Sequence, residues 1–242
     1  KDAEKEKTFD DAVDEACKEI SQNHKDLYLA YSGGMDSEFV LRAFHRNGIK
    51  ITPIIVCCGN EYENEYAYEV CEELGIDYIK VEVTQELFFI WFMTLTYSKF
   101  AGTGLNSTQL YFAADVVKQR NGTLITGDNL LLDGDNLIQD DFFCWSSEWD
   151  FYADHAFPLV NIIPFFLYTP ELTYSMLPTE GLFWNDHKAD LYSMPRRRKI
   201  KATYPDDFVN QINNIIGSLS NIKRTHFWSK KQILDIFNEH KR

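Results

Sequence analysis

Six consecutive residues, SGGMDS at 32–37, place two hydroxyls, two glycines and a carboxylate directly after an apolar run at 27–31. Apolar residues at helical spacing follow at 39–44, so the sequence predicts a turn between a strand and a helix. Such a turn presents backbone N–H groups at the positive end of a helix, which favours an anion. The glycines let an oxyanion approach the backbone closely, and the hydroxyls can donate further hydrogen bonds.

Asp36 adds a negative charge to this turn. A carboxylate repels phosphate unless a magnesium ion lies between them, so the residue types predict a magnesium-bound polyphosphate as the ligand. The six residues match neither the common P-loop pattern nor the dinucleotide-binding fingerprint. An ordinary glycine turn, with Asp36 as a helix-start residue, is the alternative interpretation.

The first half of the chain alternates between helical and strand patterns. Apolar spacing predicts a helix at 8–23, strands at 27–31, 51–58 and 76–84, and helices from 39 to Asn47-Gly48 and at 65–75. Alternation of this kind is typical of a parallel sheet with helices on both faces.

The second half continues the pattern and then becomes less regular. We predict a buried helix at 85–97, a helix from Asn106 or Ser107 to Arg120, strands at 123–126 and 158–167, a helix beginning at Thr169-Pro170-Glu171, and two closing helices near 206–218 and 229–241. An acidic, aromatic excursion occupies 133–157. The predicted fold is therefore α/β, a five-stranded parallel sheet flanked by helices within residues 1–178, with a C-terminal extension at 179–242.

The SGGMDS motif resembles the SGGxDS signature of the PP-loop ATP pyrophosphatase superfamily, which has the adenine nucleotide alpha hydrolase-like fold. That group includes the synthetase half of asparagine synthetase, 7-cyano-7-deazaguanine synthase and tRNA lysidine synthetase. Two weaker similarities are TGDN at 126–129, where many members have a TGH-like or TGE-like turn, and IPFFLYTPEL at 163–172. In the latter, Thr169-Pro170 stands where many members have a lysine.

The resemblance implies that ATP is cleaved between its α and β phosphates, with Mg²⁺ bound, and that an acceptor oxygen becomes adenylated. By this resemblance, the residues that bind the pyrophosphate portion of the nucleotide are Ser32, Gly33, Gly34, Asp36 and Ser37. Asp36 and Asp128 would hold the metal, and Gly127 and Asp128 would lie beside the nucleotide. The backbone of Val56, Cys57 and the residues up to Gly59 would line the adenine pocket. Asp36 and Ser37 would act in catalysis mainly by placement and charge neutralisation.

The run MPRRRKIK at 194–201 is the one dense basic cluster in the sequence. Arg198 and Lys199 could form a catalytic clamp over the leaving pyrophosphate, because guanidinium groups match phosphate oxygens. A solvated loop is the equally good alternative. His155 and His187 lie among carboxylates and are interpreted as surface residues rather than bases or metal ligands.

Cys57 and Cys58 end the second predicted strand and so raise the possibility of sulfur transfer, although buried cysteines usually serve as small apolar fillers. The chain has five cysteines and no C-x-x-C pair. This pattern argues against a disulfide framework and a thiolate zinc site, and it favours a reducing cytoplasm.

The composition of the chain disfavours two classes of partner, nucleic acids and membranes. The formal charge is −13, which disfavours a broad electrostatic surface for nucleic acid. No apolar stretch approaches the roughly 20 residues that a membrane span needs, so no membrane partner is expected. The 15% aromatic content and the family resemblance are compatible with a homodimer.

The sequence as a whole predicts an ATP-dependent, adenylate-forming enzyme that builds a C–N bond, such as an amide or amidine, on a small molecule or nucleobase. No glutaminase segment is recognised, so nitrogen would come from ammonia, an amine or a partner protein. The alternatives are a non-catalytic ATP-binding regulatory protein and a sulfurtransferase that uses the same adenylation.

Overall fold

The computed structural model describes residues 8–59, 61–88, 90–91, 105–127 and 160–175, and every structural statement below concerns these residues. Their elements are α1 (Phe9–Asn23), β1 (Leu27–Ala30), α2 (Met35–Arg46), β2 (Thr52–Cys57), α3 (Glu61–Leu74), β3 (Ile79–Glu82), α4 (Leu105–Arg120), β4 (Thr123–Thr126), β5 (Asn161–Pro164), a 3₁₀ turn (Phe165–Leu167) and α5 (Pro170–Ser175). Residues 85–88 and 90–91 are also helical.

The described strands form one parallel sheet of five strands in the order β3-β2-β1-β4-β5. The predicted fold class is therefore confirmed. From β1 the chain first adds β2 and β3 on one side and then returns to add β4 and β5 on the other. The switch point lies between β1 and β4, and in open parallel sheets a crevice for ligands opens there at the carboxyl ends of the strands.

Helices cover both faces of the sheet, as the alternation along β1 requires. Leu27 and Leu29 pack in a cluster with α1, α2, α3 and α5. Tyr28 and Ala30 pack in a second cluster, which holds the buried side chains of α4 and Phe88. Since both faces are buried, the three inner strands β1, β2 and β4 are mostly apolar, as buried parallel strands usually are, whereas the edge strand β3 alternates with exposed charged residues.

Helix ends follow the signals in the sequence. Thr8 caps α1 by accepting a hydrogen bond from the N–H of Asp11 at 3.2 Å. The predicted stop of α2 at Asn47-Gly48 is confirmed, because the N–H of Ile49 donates to the carbonyl of Phe44 at 3.0 Å after Gly48 adopts a positive φ of 64°.

The predicted fifth strand is too long. The prediction is 158–167, whereas the strand in the structure spans 161–164, and Phe165–Leu167 forms a 3₁₀ turn. Pro164 has no N–H group to donate to a neighbouring strand, so the strand ends there. Phe165 and Phe166 are fully buried in the core, which explains why the apolar pattern continues past the end of the strand. The third strand is likewise shorter than predicted, at 79–82.

Several predictions lie outside the described residues. These are the excursion at 133–157, the domain boundary at 178/179, the C-terminal extension at 179–242 and its two helices, His155 and His187. Among the described helices, none has both the length and the apolar character needed to cross a bilayer.

Candidate functional site

The SGGMDS turn lies at the carboxyl end of β1, and α2 begins inside it at Met35. Hydrogen bonds between its own residues brace the turn. The hydroxyl of Ser37 donates to the carbonyl of Gly34 at 3.1 Å, and the oxygen of Ser32 accepts the N–H of Gly34 at 3.2 Å. The two hydroxyl oxygens are 3.2 Å apart, which leaves Ser32 as the donor to Ser37. Both hydroxyls therefore help to shape the turn.

Gly33 packs the turn against α3. Its φ is +76°, a left-handed conformation that side chains rarely adopt. A Cβ atom at this position would lie 2.5 Å from the backbone oxygen of Glu63 and 3.4 Å from the Cβ of Ala67. The glycine is therefore required twice, for the backbone conformation and for the close approach of α3.

Gly127 brings the end of β4 to the same place. A Cβ atom on Gly127 would lie 2.7 Å from the backbone nitrogen of Ser37 and 2.9 Å from the carbonyl carbon of Asp36. The residue after β4 thus touches the first turn of α2, across the switch point between β1 and β4. The resemblance assigns both Gly127 and the SGGMDS turn to the nucleotide, and in the structure the two are in contact.

Two buried hydroxyls near this edge have no hydrogen-bond partner among the described residues. They belong to Thr126, the last residue of β4, which is 2% exposed, and Thr108, which is 0% exposed. Thr126 points to the α4 face of the sheet, because it alternates with Ile125, which belongs to the cluster on the opposite face. An unpaired buried hydroxyl costs about 1–3 kcal/mol, so such a pair is a sign of a site for a polar ligand.

The first turns of α4 lie at the carboxyl edge of the sheet, near the residue that follows β2. The side-chain amide of Gln109 donates to the sulfur of Cys58 at 3.4 Å. Thr108 is the residue before Gln109, so it lies at this edge as well. Sequence reasoning missed Thr108 and Thr126; the available signal was a hydroxyl residue within an otherwise apolar strand or helix face.

Val56 and Cys57 end β2, and they face opposite sides of the sheet. Val56 packs in the cluster with α4, and Cys57 lies on the α3 side, where its sulfur is 2.9 Å from the hydroxyl of Tyr68. A cavity of about 440 Å³ adjoins Cys57 and Tyr68, but its lining includes no residue of the SGGMDS turn. Only the Val56 side of the strand end faces the hydroxyls of the α4 face.

Burial makes both thiols weak acids. It raises the pKa of Cys57 above its ordinary value, and it raises the pKa of Cys58 to about 11. The hydrogen bonds from Tyr68 and Gln109 act in the opposite direction but are outweighed. At neutral pH both groups are protonated thiols.

Asp36 is half-buried in the first turn of α2. The other predicted metal ligand, Asp128, and the predicted clamp residues Arg198 and Lys199 lie outside the described residues. Within the described ranges, no three His, Cys, Asp or Glu side chains come together to hold a metal. A magnesium ion at this edge would therefore rely on Asp36, on residues beyond the described ranges and on phosphate oxygens.

Thr169 stands where the resemblance expects a lysine. Its hydroxyl accepts the N–H of Leu172 at 3.1 Å and thereby caps α5, with Pro170 as the first helical residue. The predicted helix start is confirmed. The side chain at this position serves the helix end and supplies no cation for a phosphate.

No protein-family model matches the chain, and no curated protein matches its sequence. Solved structures do match. The U34-tRNA thiolase NcsA from Methanococcus maripaludis has a TM-score of 0.50 and 15% identity, over 96% of this chain and 79% of that chain. NMN synthetase from Francisella tularensis has a TM-score of 0.41 and 13% identity, over 82% and 97%. NH3-dependent NAD synthetase from Campylobacter jejuni has 0.40 and 14%, over 88% and 95%.

At identities of this size a match establishes the fold and nothing finer. The match to the thiolase NcsA covers almost the whole chain, and it confirms the expected fold, an α/β fold of the adenine nucleotide alpha hydrolase-like type.

Proposed function

We propose that this chain, which has the fold of the PP-loop ATP pyrophosphatases, is an ATP-dependent enzyme that forms an adenylated intermediate. The β and γ phosphates of ATP bind the SGGMDS turn, the bond between the α and β phosphates breaks, and AMP is transferred to an acceptor oxygen. The observation that supports the proposal is the contact of Gly127 with the first turn of α2, which brings the carboxyl ends of β1 and β4 together beside the SGGMDS turn.

The residues present fit a magnesium-bound nucleotide. The turn amides and the helix dipole of α2 favour the anionic end, and Asp36 offers the oxygen ligand that Mg²⁺ prefers, with Asp128 proposed as the second. The buried hydroxyls of Thr108 and Thr126 offer partners to polar groups on the α4 face. Bound Mg²⁺ neutralises charge on the phosphates, while the protein mainly orients the nucleotide and excludes water.

The acceptor is a small molecule or a nucleobase with an activatable oxygen, and the nucleophile is ammonia, an amine or a nitrogen delivered by a partner protein. C–N bond formation then releases AMP. Arg198 and Lys199 are proposed to close over the leaving pyrophosphate, because their cationic side chains would offset its charge.

The products of ATP turnover test the proposal. With ATP labelled on the α phosphorus, Mg²⁺, ammonium and a panel of carboxylate, amide and nucleobase acceptors, we expect labelled AMP and unlabelled pyrophosphate. Formation of ADP and phosphate would refute the proposed bond cleavage. Tight ATP binding without turnover across the whole panel would identify the chain as a non-catalytic ATP-binding protein.

Thr126→Val is expected to change stability and nucleotide binding in opposite directions. The substitution removes a buried hydroxyl that has no described partner, so the free energy of unfolding should stay level or rise by about 1 kcal/mol. The affinity for ATP should fall about tenfold, since a hydrogen bond to the ligand is worth about 1–1.5 kcal/mol. Urea unfolding and calorimetric titration check the two effects. Unchanged ATP affinity would remove Thr126 from the site.

Sulfur transfer through Cys57 or Cys58 is not favoured by their chemistry, because a thiol that stays protonated at neutral pH is a poor nucleophile. The double variant Cys57→Ser, Cys58→Ser should form AMP, per folded molecule, at a rate within about twofold of that of the wild type. In the wild type, the thiols of Cys57 and Cys58 should react slowly with iodoacetamide at pH 7. A complete loss of turnover in a folded double variant would reinstate sulfur chemistry.

A further inference from the structure

Glu38 is a buried carboxylate next to the proposed anion site. It follows Ser37 in the first turn of α2, and its side chain is 0% exposed. A charged carboxylate in such a place is costly unless an opposite charge and hydrogen bonds compensate it. Sequence analysis assigned no role to this residue.

Arg42 supplies the compensating charge, one helical turn further on. Its Nε donates to Oε1 of Glu38 at 2.7 Å, and its side chain is only 13% exposed. The other two nitrogens of the guanidinium donate to the two carboxylate oxygens of Glu73 on α3, each at 3.0 Å. Paired hydrogen bonds of this type fix both distance and direction. Hydrogen bonding to Arg42 also holds the pKa of Glu73 below its usual value.

Helix α3 also contacts the turn that precedes α2, where Gly33 packs against the backbone oxygen of Glu63. Glu63 and Glu73 are separated by about 15 Å along the axis of α3, at 1.5 Å per residue. Helix α3 is thus attached to the turn near one end and to α2 near the other. Rotation of α2 would break the Arg42 contacts, and rotation of α3 would press Glu63 into the turn.

We propose that Glu38, Arg42 and Glu73 form a positioning network that holds the first turn of α2 in the orientation in which its amides bind the nucleotide phosphates. The proposal rests on the proposed function. Its residues act through the backbone of the turn, so they are positioning residues and do not touch the reacting atoms.

Charge gives the network a second consequence. Without Arg42, the surroundings of the buried Glu38 would lose one positive charge within one helical turn of the proposed phosphate site, and a more negative surrounding disfavours a bound anion. Removal of Arg42 should therefore weaken phosphate binding beyond what a loosened helix alone would cause. Removal of both charges should relieve that part of the loss.

The test compares Arg42→Met with Arg46→Met. Arg46 lies on the same helix one turn later, where it pairs with Asp10 and Asp14 of α1. Two quantities are measured on the full chain: the dissociation constant for ATP with Mg²⁺, by calorimetry, and the hydrogen-exchange rate of the backbone amides at 33–37 without ligand. The second needs no nucleotide.

We expect Arg42→Met to weaken ATP binding at least tenfold and to accelerate exchange at 33–37, whereas Arg46→Met leaves both within about twofold. The paired variant Glu38→Met, Arg42→Met should regain part of the affinity, because it also removes the negative charge of Glu38. If Arg42→Met folds poorly, Glu73→Gln removes the charge and one of the two hydrogen bonds of the exposed link to α3, and it should still accelerate the same amides.

Two results separate this inference from the proposed function. In the first, the wild-type protein fails to bind ATP, while Arg42→Met accelerates exchange at 33–37 and Arg46→Met does not. This result would refute the nucleotide assignment and support the positioning network. In the second, Arg42→Met and Glu73→Gln leave both ATP affinity and amide exchange unchanged and at most lower the melting temperature. The network would then be only a stabilising contact, and the inference would be overturned.

Discussion

Gly33→Ala is expected to lower the free energy of unfolding by about 2–4 kcal/mol and to abolish detectable ATP binding. The new Cβ would lie 2.5 Å from the backbone oxygen of Glu63, and alanine would have to adopt a φ near +76°. Backbone atoms cannot move aside as a flexible side chain can, so either α3 or the turn must shift. Urea unfolding and ATP titration of the purified variant measure the two effects.

Gly75→Ala is the matched control. Gly75 also has a positive φ, 65°, but a Cβ there would have no neighbour within 4 Å. It therefore isolates the conformational cost, about 1–2 kcal/mol, and should leave ATP affinity unchanged. If the two variants lost the same stability and both bound ATP normally, the contact between Gly33 and α3 would have no part in shaping a binding site.

Asp36→Asn should reduce the rate of AMP formation by about 10²–10³-fold while the protein remains folded. The substitution keeps the size of the side chain and removes the negative charge that would hold Mg²⁺ beside the phosphates. Loss of a carboxylate from the first turn of α2 weakens its interaction with the helix dipole by only about 0.3–1 kcal/mol. Turnover is measured as labelled AMP across a magnesium titration, together with the thermal midpoint.

Asp77→Asn serves as the control for charge alone, because Asp77 is exposed and lies between α3 and β3. We expect its turnover and magnesium dependence to match those of the wild type. Equal turnover and the same magnesium requirement in Asp36→Asn would exclude Asp36 from the proposed metal site.

Much of the fold could be predicted because its signals are local. The β-branched run at 51–58 and the short run at 123–126 are buried on both faces, and each became a central parallel strand. Asn47-Gly48 and Asn121-Gly122 end α2 and α4 through backbone conformations that these residues adopt readily. The position of the turn between β1 and α2 followed from the same local reasoning.

The rest depends on contacts between distant parts of the chain. Glu38 lies in a charged first turn that would normally be exposed, yet its side chain is fully buried. Its partner Arg42 in turn binds Glu73, which lies 31 residues further along the chain. Likewise, that the Thr126 hydroxyl has no described hydrogen-bond partner depends on how distant residues pack at the carboxyl edge of the sheet. No spacing rule predicts either feature, because pattern reasoning assigns faces to elements but does not pair side chains across them.

The central claim concerns one set of backbone amides, and a crystal structure with Mg²⁺ and an ATP analogue carrying a methylene between its α and β phosphates tests it most directly. We predict that β and γ phosphate oxygens accept hydrogen bonds from N–H groups between Gly33 and Ser37, with the α phosphorus open to an acceptor. Phosphates bound elsewhere on the chain, with the turn amides making the same contacts as in the free protein, would contradict the account.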